Sequence, residues 1–128
     1  MPDRSIDTSK RLASQRQIEA AILHYNNGAF ECAITLAHAG ENVVGKPGII
    51  SFFNRLKETM FDTDHNLFAN WLKHPTGPDT ATISELEVVA MIQRGISKFS
   101  TAYGGVTVNM QNFMEGQRKK LATAADKA

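Results

Sequence analysis

The stretch from 29 to 45, AFECAITLAHAGENVVG, constrains the fold more than any other part of this 128-residue chain. In an α-helix, at about 100° per residue, its apolar side chains cover an arc of roughly 220°, much wider than the stripe of a surface helix. These residues are Phe30, Cys32, Ala33, Ile34, Leu36, Ala37, Ala39, Gly40, Val43 and Val44. Such a helix must be buried from more than one side, so we expect the rest of the chain to pack around it.

Two further patterns in this central helix predict how it is used. Its small residues recur at i, i+4 and i+7, which predicts close approach by a neighbouring helix; they are Ala33, Ala37 and Gly40. A narrow polar stripe is formed by Glu31, Thr35, His38 and Asn42, with Glu41 at the edge of the apolar arc. The stripe either lines an enclosed cleft, where His38 would bond to another helix, or faces solvent.

The segments on either side predict further helices. From about Ser9 a helix has one apolar face, and the sequence NNG at 26–28 predicts its end and a tight antiparallel hairpin with the central helix. A third helix is expected from near Ile50 to His74, because Pro75 disfavours helical conformation in the residue before it. Its Phe and Trp residues predict that this helix contributes a large share of the hydrophobic core.

After a Pro-rich loop at 75–82, Ser84 and Glu87 have the spacing of a capping box. The helix that follows has the clearest apolar periodicity in the chain, and Gly104 and Gly105 end it. A short fifth helix from about Val106 is favoured over a strand that would have no partner. We therefore expect one all-α domain over 1–128, a bundle of four to five helices, with frayed or disordered ends at 1–8 and 117–128.

Composition argues against several classes of partner, although it does not exclude nucleic acid. A formal net charge of +1 provides no field to attract nucleic acid or an acidic substrate, and the basic residues at 118–120 are typical of a solvated tail. No apolar run approaches the roughly 18 residues of a membrane span. The single Cys32 lies on the apolar arc, which predicts a small buried side chain and not a nucleophile. We expect a cytoplasmic protein that binds no membrane.

Catalytic and metal-binding motifs are missing. His38 and Glu41 form one acid–His pair, whereas a carboxylate-bridged di-metal bundle needs two such helices. The run from Asp62 to Lys73 lacks the Gly and the final Glu of a calcium loop. No nucleophile elbow, phosphate-binding loop or cysteine pair occurs. We therefore expect no metal and no cofactor, and the sequence names no catalytic residue.

The segment NLFANWLKH, 66–74, carries the most particular polar pattern. Asn70 and Lys73 share one helical face, and His74 closes the helix. Near a helix C-terminus, Lys73 and His74 can simply interact with the last carbonyls. Alternatively they bind a small anionic or polar ligand beside the Pro-rich loop. The hypothetical ligand-binding residues of the chain are Glu31, Thr35, His38, Asn70, Lys73 and His74.

The phrase NWLKH at 70–74, and RLASQRQIEAAI at 11–22 before a Gly turn, resemble a family of small uncharacterised bacterial helical proteins. The resemblance covers roughly 10–115. It implies an all-α bundle related to the HEPN group (higher eukaryote and prokaryote nucleotide-binding), whose members include dimers and ribonucleases. Active members carry Arg and His a few residues apart on one helix. Here Arg16 and His24, or Arg55 and His65, are spaced more widely, so the resemblance supports fold more than activity.

Two functions are consistent with these patterns. The missing catalytic motifs and the large apolar helix surface predict a non-catalytic module that forms a homodimer or binds a protein partner. The alternative is a divergent HEPN-like nucleotide-binding protein or ribonuclease that uses Asn70, Lys73 and His74 with His38.

Overall fold

The computed structural model describes residues 3–44 and 67–127, with side chains described as far as Ala124. This part of the chain forms five helices: α1 (Lys10–Asn26), α2 (Phe30–Val43), α3 (Leu67–Lys73), α4 (Glu85–Tyr103) and α5 (Val108–Lys127). The described ranges contain no strand, and the prediction of an all-α bundle is confirmed. The part of the third predicted helix that precedes 67 lies outside the described residues.

Helices α1 and α2 form the predicted hairpin. Ser9 caps α1, because its hydroxyl accepts a hydrogen bond from the backbone N–H of Leu12 at 3.1 Å. At the other end Gly28 has a φ of +81°, a left-handed conformation that favours glycine. The N–H of Ala29 bonds back to the carbonyl of His24 at 2.9 Å, which closes the turn.

Helix α2 contacts α1, α3 and α4, and α1 contacts α2, α4 and α5. The bundle is therefore built around the α1–α2 hairpin, of which the predicted central helix is one half. Ala33, Ala37 and Gly40 are buried. A Cβ added at Gly40 would lie 2.8 Å from Cγ1 of Ile18 and 3.2 Å from the carbonyl oxygen of Ser14. The hydroxyl of Ser14 donates to the carbonyl of Gly40 at 2.7 Å. The small residues therefore do permit the close approach of α1.

The fully buried arc of α2 is narrower than its apolar residues suggest. It covers roughly 120° of the helix surface and contains Ala33, Ile34, Ala37, Gly40 and Glu41. Cys32 is exposed, so the prediction of a buried cysteine is wrong. The reason is that Cys32 lies outside this arc, on a part of the surface that α1, α3 and α4 leave open.

Helix α4 begins and ends where the sequence predicts. Ser84 and Glu87 form a reciprocal capping box, and Gly104 ends the helix with a φ of +78°. The side chains of the predicted apolar face are buried, except that Val89 and Tyr103 are half-buried. The face consists of Val88, Val89, Ile92, Ile96, Phe99 and Tyr103.

The segment after Gly105 forms helix α5, as favoured over a strand. The Thr107 hydroxyl accepts a hydrogen bond from the N–H of Met110 at 3.3 Å in the first turn. Met110 and Phe113 are buried, and α5 contacts α1. The helix continues to Lys127, through the segment from 117 for which the composition predicts a frayed end. The other predicted loose end, at 3–8, has no regular secondary structure.

Candidate functional site

The polar stripe of α2 lies at the surface. Glu31, Thr35 and Asn42 are exposed, and His38 is half-buried. The hydroxyl of Thr35 donates to the carbonyl of Glu31 at 2.9 Å, a bond within the helix. The ring of His38 has its hydrogen-bond partner in Asn42, one turn further along α2, at 3.4 Å from Nε2. These contacts fit the solvent-facing alternative better than the enclosed cleft.

Helix α3 presents its predicted polar residues to solvent. Asn70, Lys73 and His74 are all exposed. The N–H of His74 bonds to the carbonyl of Asn70 at 3.1 Å, which extends the helical hydrogen-bond pattern past Lys73. Nε1 of the Trp71 indole donates to the Pro78 carbonyl at 2.6 Å, so the Pro-rich loop folds back against this short helix.

The structure brings only part of the predicted site together. Helices α2 and α3 are in contact, and Lys73 is close enough to His38 to lower the pKa of its imidazole. Glu31 is two turns away from His38, about 10 Å along the helix axis. The predicted residues thus form two patches, one around His38 and Lys73 and one at the N-terminal end of α2.

A buried ion cluster lies one turn beyond His38. The carboxylate of Glu41 is paired with Nε of Arg94 at 2.7 Å and with Nζ of Lys98 at 2.9 Å. The Glu41 side chain is only 4% exposed, and both cations come from α4. The sequence placed Glu41 at the edge of the apolar arc; it is buried there because α4 supplies its counter-charges.

This cluster contributes to the pKa of His38, which lies below its ordinary value of 6.5. Burial is the largest cause, since it disfavours the charged imidazolium. Glu41 opposes the shift, whereas Arg94, Lys73 and Lys98 add to it. His38 is therefore a neutral imidazole at pH 7, set among positive charges, which can accept a hydrogen bond or a proton from a ligand.

A second group of polar residues, which the sequence did not indicate, surrounds the hydroxyl of Tyr25. This hydroxyl donates to the carboxylate of Glu85 and accepts from Nζ of Lys120 at 2.9 Å and Nε2 of Gln117 at 3.2 Å. Lys120 also pairs with Glu85 at 3.3 Å. The hydrogen bond that Tyr25 donates is the main cause of the lowered pKa of Glu85, and the bond that Lys120 donates to Tyr25 is the main cause of the raised pKa of Lys120. One buried tyrosine thus links α1, α4 and α5.

Beside Tyr25, helices α1 and α5 form the walls of an open groove of about 620 Å³, which we call the α1–α5 groove. Its lining is Glu19, Ala20, Ile22, Leu23, Tyr25, Asn26, Asn109, Asn112, Phe113, Gly116, Gln117 and Lys120. Ile22, Tyr25 and Phe113 are buried and form an apolar floor, whereas Leu23 is 59% exposed. Polar side chains dominate the rest of the lining.

Contacts along the groove show that α1 and α5 run parallel. Glu19 accepts a hydrogen bond from Asn109 at 2.5 Å. Six residues later in α1, Tyr25 meets the ring of Phe113 edge-on and then bonds to Gln117 and Lys120. The groove therefore has the Glu19 carboxylate at one end and the Lys120 ammonium, which is also paired with Glu85, at the other.

The sequence contained a partial signal for this groove. In each helix the lining residues recur at three and four residues, a spacing that marks one helical face. The signal was missed because these faces are mostly polar and because the segment from 117 was predicted to fray. Only the packing of α1 beside α5 makes the two faces into one concave surface.

Within the described ranges, no group of three His, Cys, Asp or Glu side chains converges where a metal could bind. None of the helices described is both long enough and apolar enough to cross a bilayer. Comparison of the chain with known protein families, with characterised proteins and with solved structures found no match.

Proposed function

We propose that this chain is a non-catalytic helical module that associates with protein through the α1–α5 groove. The groove itself is the observation that carries the proposal. Its apolar floor and polar margin are the composition of a protein interface, in which an apolar centre is surrounded by hydrogen-bonding groups. Two parallel helices also form the kind of trough into which a further helix packs.

Gly116 provides independent support. It lies within helix α5 and lines the groove, and among the described residues a Cβ added there would meet no side chain and no other helix within 4 Å. A glycine inside a helix costs about 1 kcal/mol relative to alanine, and no neighbour among the described residues requires it. Close approach of a partner's backbone across the groove would explain why no side chain is present.

Site-specific photocrosslinking tests this function in cells that produce the chain. We place p-benzoylphenylalanine at Leu23, in the groove, and at Leu67, which is 55% exposed on α3, as the matched control. Irradiation is expected to give a protein adduct from position 23 and none from position 67. Gly116→Trp, which fills the groove, should abolish the adduct.

Two results would contradict the proposal. One is a position-23 variant that gives no adduct although the chain is folded. The other is an adduct that persists in the Gly116→Trp background, because its partner would then lie outside the groove.

The exposed, unpaired Cys32 is consistent with the expectation of a reducing compartment such as the cytoplasm.

The exposed cation Lys73 beside His38 favours the alternative, a HEPN-like nucleotide-binding protein. Lys73 and the neutral imidazole of His38 could contact a phosphate. Adding AMP or inorganic phosphate to the ¹⁵N-labelled chain separates the two functions. Saturable shifts at His38 and Lys73 would favour nucleotide binding, whereas association through the groove predicts no saturable shift there.

A further inference from the structure

We infer that the occupant of the α1–α5 groove is a second copy of this chain, related by a two-fold axis and lying antiparallel across the groove. This inference rests on the proposed function and names its partner. In a two-fold interface the same surface is used by both copies, so it must be complementary to itself. The α1–α5 groove meets this condition in its charges and in its shape.

The charges along the groove are self-complementary. Among the described residues of its lining, Glu19 is the only carboxylate and Lys120 the only ammonium group. Asn109, which bonds to Glu19, and Lys120 are eleven positions apart in α5, or about 16 Å along the axis. A two-fold axis lying across the groove brings the Glu19 end of each copy to the Lys120 end of the other. An axis lying along the groove would instead bring like charges together.

The shape is complementary near the same axis. Gly116 lies between the two charged ends on α5, and the exposed Leu23 lines the same groove from α1. When two α5 helices cross near Gly116, the glycine of each copy places no side chain between them, so their backbones can approach closely, as small residues allow in other helix pairs. The exposed Leu23 of each copy would then be buried near the centre of the interface, where interfaces are most apolar.

Charge reversal provides a selective test. The Glu19→Lys chain has two lysines at the interface positions, and the Lys120→Glu chain has two glutamates. Each variant alone is expected to be monomeric, because like charges would face each other across the two-fold axis. An equimolar mixture is expected to form a heterodimer, since both contacts then pair opposite charges. Sedimentation velocity on the wild type, each variant and the mixture measures these states.

Lys120→Glu also removes bonds to Tyr25 and Glu85, so a variant that leaves this cluster intact is needed. Gly116→Trp should reduce the dimer to monomer without unfolding it, because no neighbouring atom lies within 4 Å of the new Cβ. Gly105→Trp is the matched control, since its added Cβ is equally free, and it should remain dimeric.

Three results would overturn the inference: a monomeric wild type, a mixture that does not associate, or a Gly116→Trp chain that remains dimeric. The mass of the photocrosslinked adduct distinguishes failure of the second-copy inference from failure of the proposed function. An adduct of twice the 14.1 kDa of one chain supports a second copy. An adduct of another mass, with a monomeric wild type, overturns the second copy and leaves protein association standing. No adduct contradicts both.

Discussion

The pKa of His38, a polar residue of α2, is set by the residues that surround it in the folded chain. Its half-buried position disfavours the imidazolium, and the nearby cations Arg94, Lys73 and Lys98 act in the same direction. Only Glu41 opposes them. The lowered pKa means that the folded state disfavours the protonated form of His38.

A pH dependence of stability follows from this shift. Because the unfolded state holds the proton more tightly than the folded state, the free energy of unfolding should rise with pH between the lowered pKa of His38 and 6.5. The contribution of neutral His38 to the free energy of unfolding is fully present above pH 6.5 and is lost as the pH falls through the lowered pKa. In His38→Gln this part of the pH profile should be flat, as measured by urea unfolding at several pH values. An unchanged profile would mean that His38 titrates normally.

A second residue-scale prediction uses the cations near His38. Lys73→Gln removes one of the charges that disfavour the imidazolium, so the pKa of His38 should rise. The change is expected to be partial, because burial remains the larger cause. NMR titration of the His38 ring measures it, with the exposed Lys119→Gln on α5 as control. Equal shifts in the two variants would show that Lys73 has no specific effect.

At the scale of the element, glycine has opposite roles in α2 and α5. Gly40 is required by packing, because α1 approaches so closely that a Cβ would overlap Ile18. Gly116 has no such constraint from the described residues of its own chain. The same residue type therefore favours close packing within the bundle in one helix and leaves open space in the other.

The two glycines provide a matched pair of substitutions. Gly40→Ala should lower the free energy of unfolding by about 1 to 3 kcal/mol, because the carbonyl of Ser14 and the side chain of Ile18 must both shift. Gly116→Ala should raise it by about 0.5 to 1 kcal/mol, because alanine restricts the unfolded chain and favours the helix. Urea unfolding in the Glu19→Lys background, which we expect to be monomeric, measures both. A loss of stability in Gly116→Ala would mean that the groove is occupied within the chain.

At the scale of the molecule, the pair of α2 and α4 is held by charge as well as by apolar packing. Glu41 is buried between Arg94 and Lys98, whose side chains are 15% and 11% exposed. Removing these charges from water costs free energy. The attraction between the carboxylate and the cations offsets that cost only while all of them are present. The cluster therefore sets how α4 lies on the central helix.

Removal of the carboxylate tests this arrangement. Glu41→Gln removes the buried carboxylate that pairs with the mostly buried Lys98, and we expect the free energy of unfolding to fall by about 3 kcal/mol. Glu31→Gln, on the exposed side of the same helix, should change it by less than about 0.5 kcal/mol. Chemical denaturation of both variants makes the comparison. Similar small effects would show that solvent reaches the Glu41 cluster.

Most of the architecture could be predicted because it depends on local chemistry. The Gly28 turn, the capping box of Ser84 and the apolar face of α4 are properties of a few neighbouring residues, and each is confirmed. The predicted binding residues on α2 and α3 were assigned from local patterns too. Their role in binding stays a prediction, although the structure locates them on two adjoining helices.

What only the tertiary structure decided was which helix surfaces are covered. Cys32 is exposed although its place on the apolar arc predicts burial, because burial depends on where α1, α3 and α4 lie. Glu41, at the edge of that arc, is buried because it pairs with Arg94 and Lys98, which are distant in sequence. The α1–α5 groove exists for the same reason, since each of its faces alone is an ordinary polar helix surface. Helical periodicity determines which residues share a face, but the packing of one helix against another determines what that face contacts.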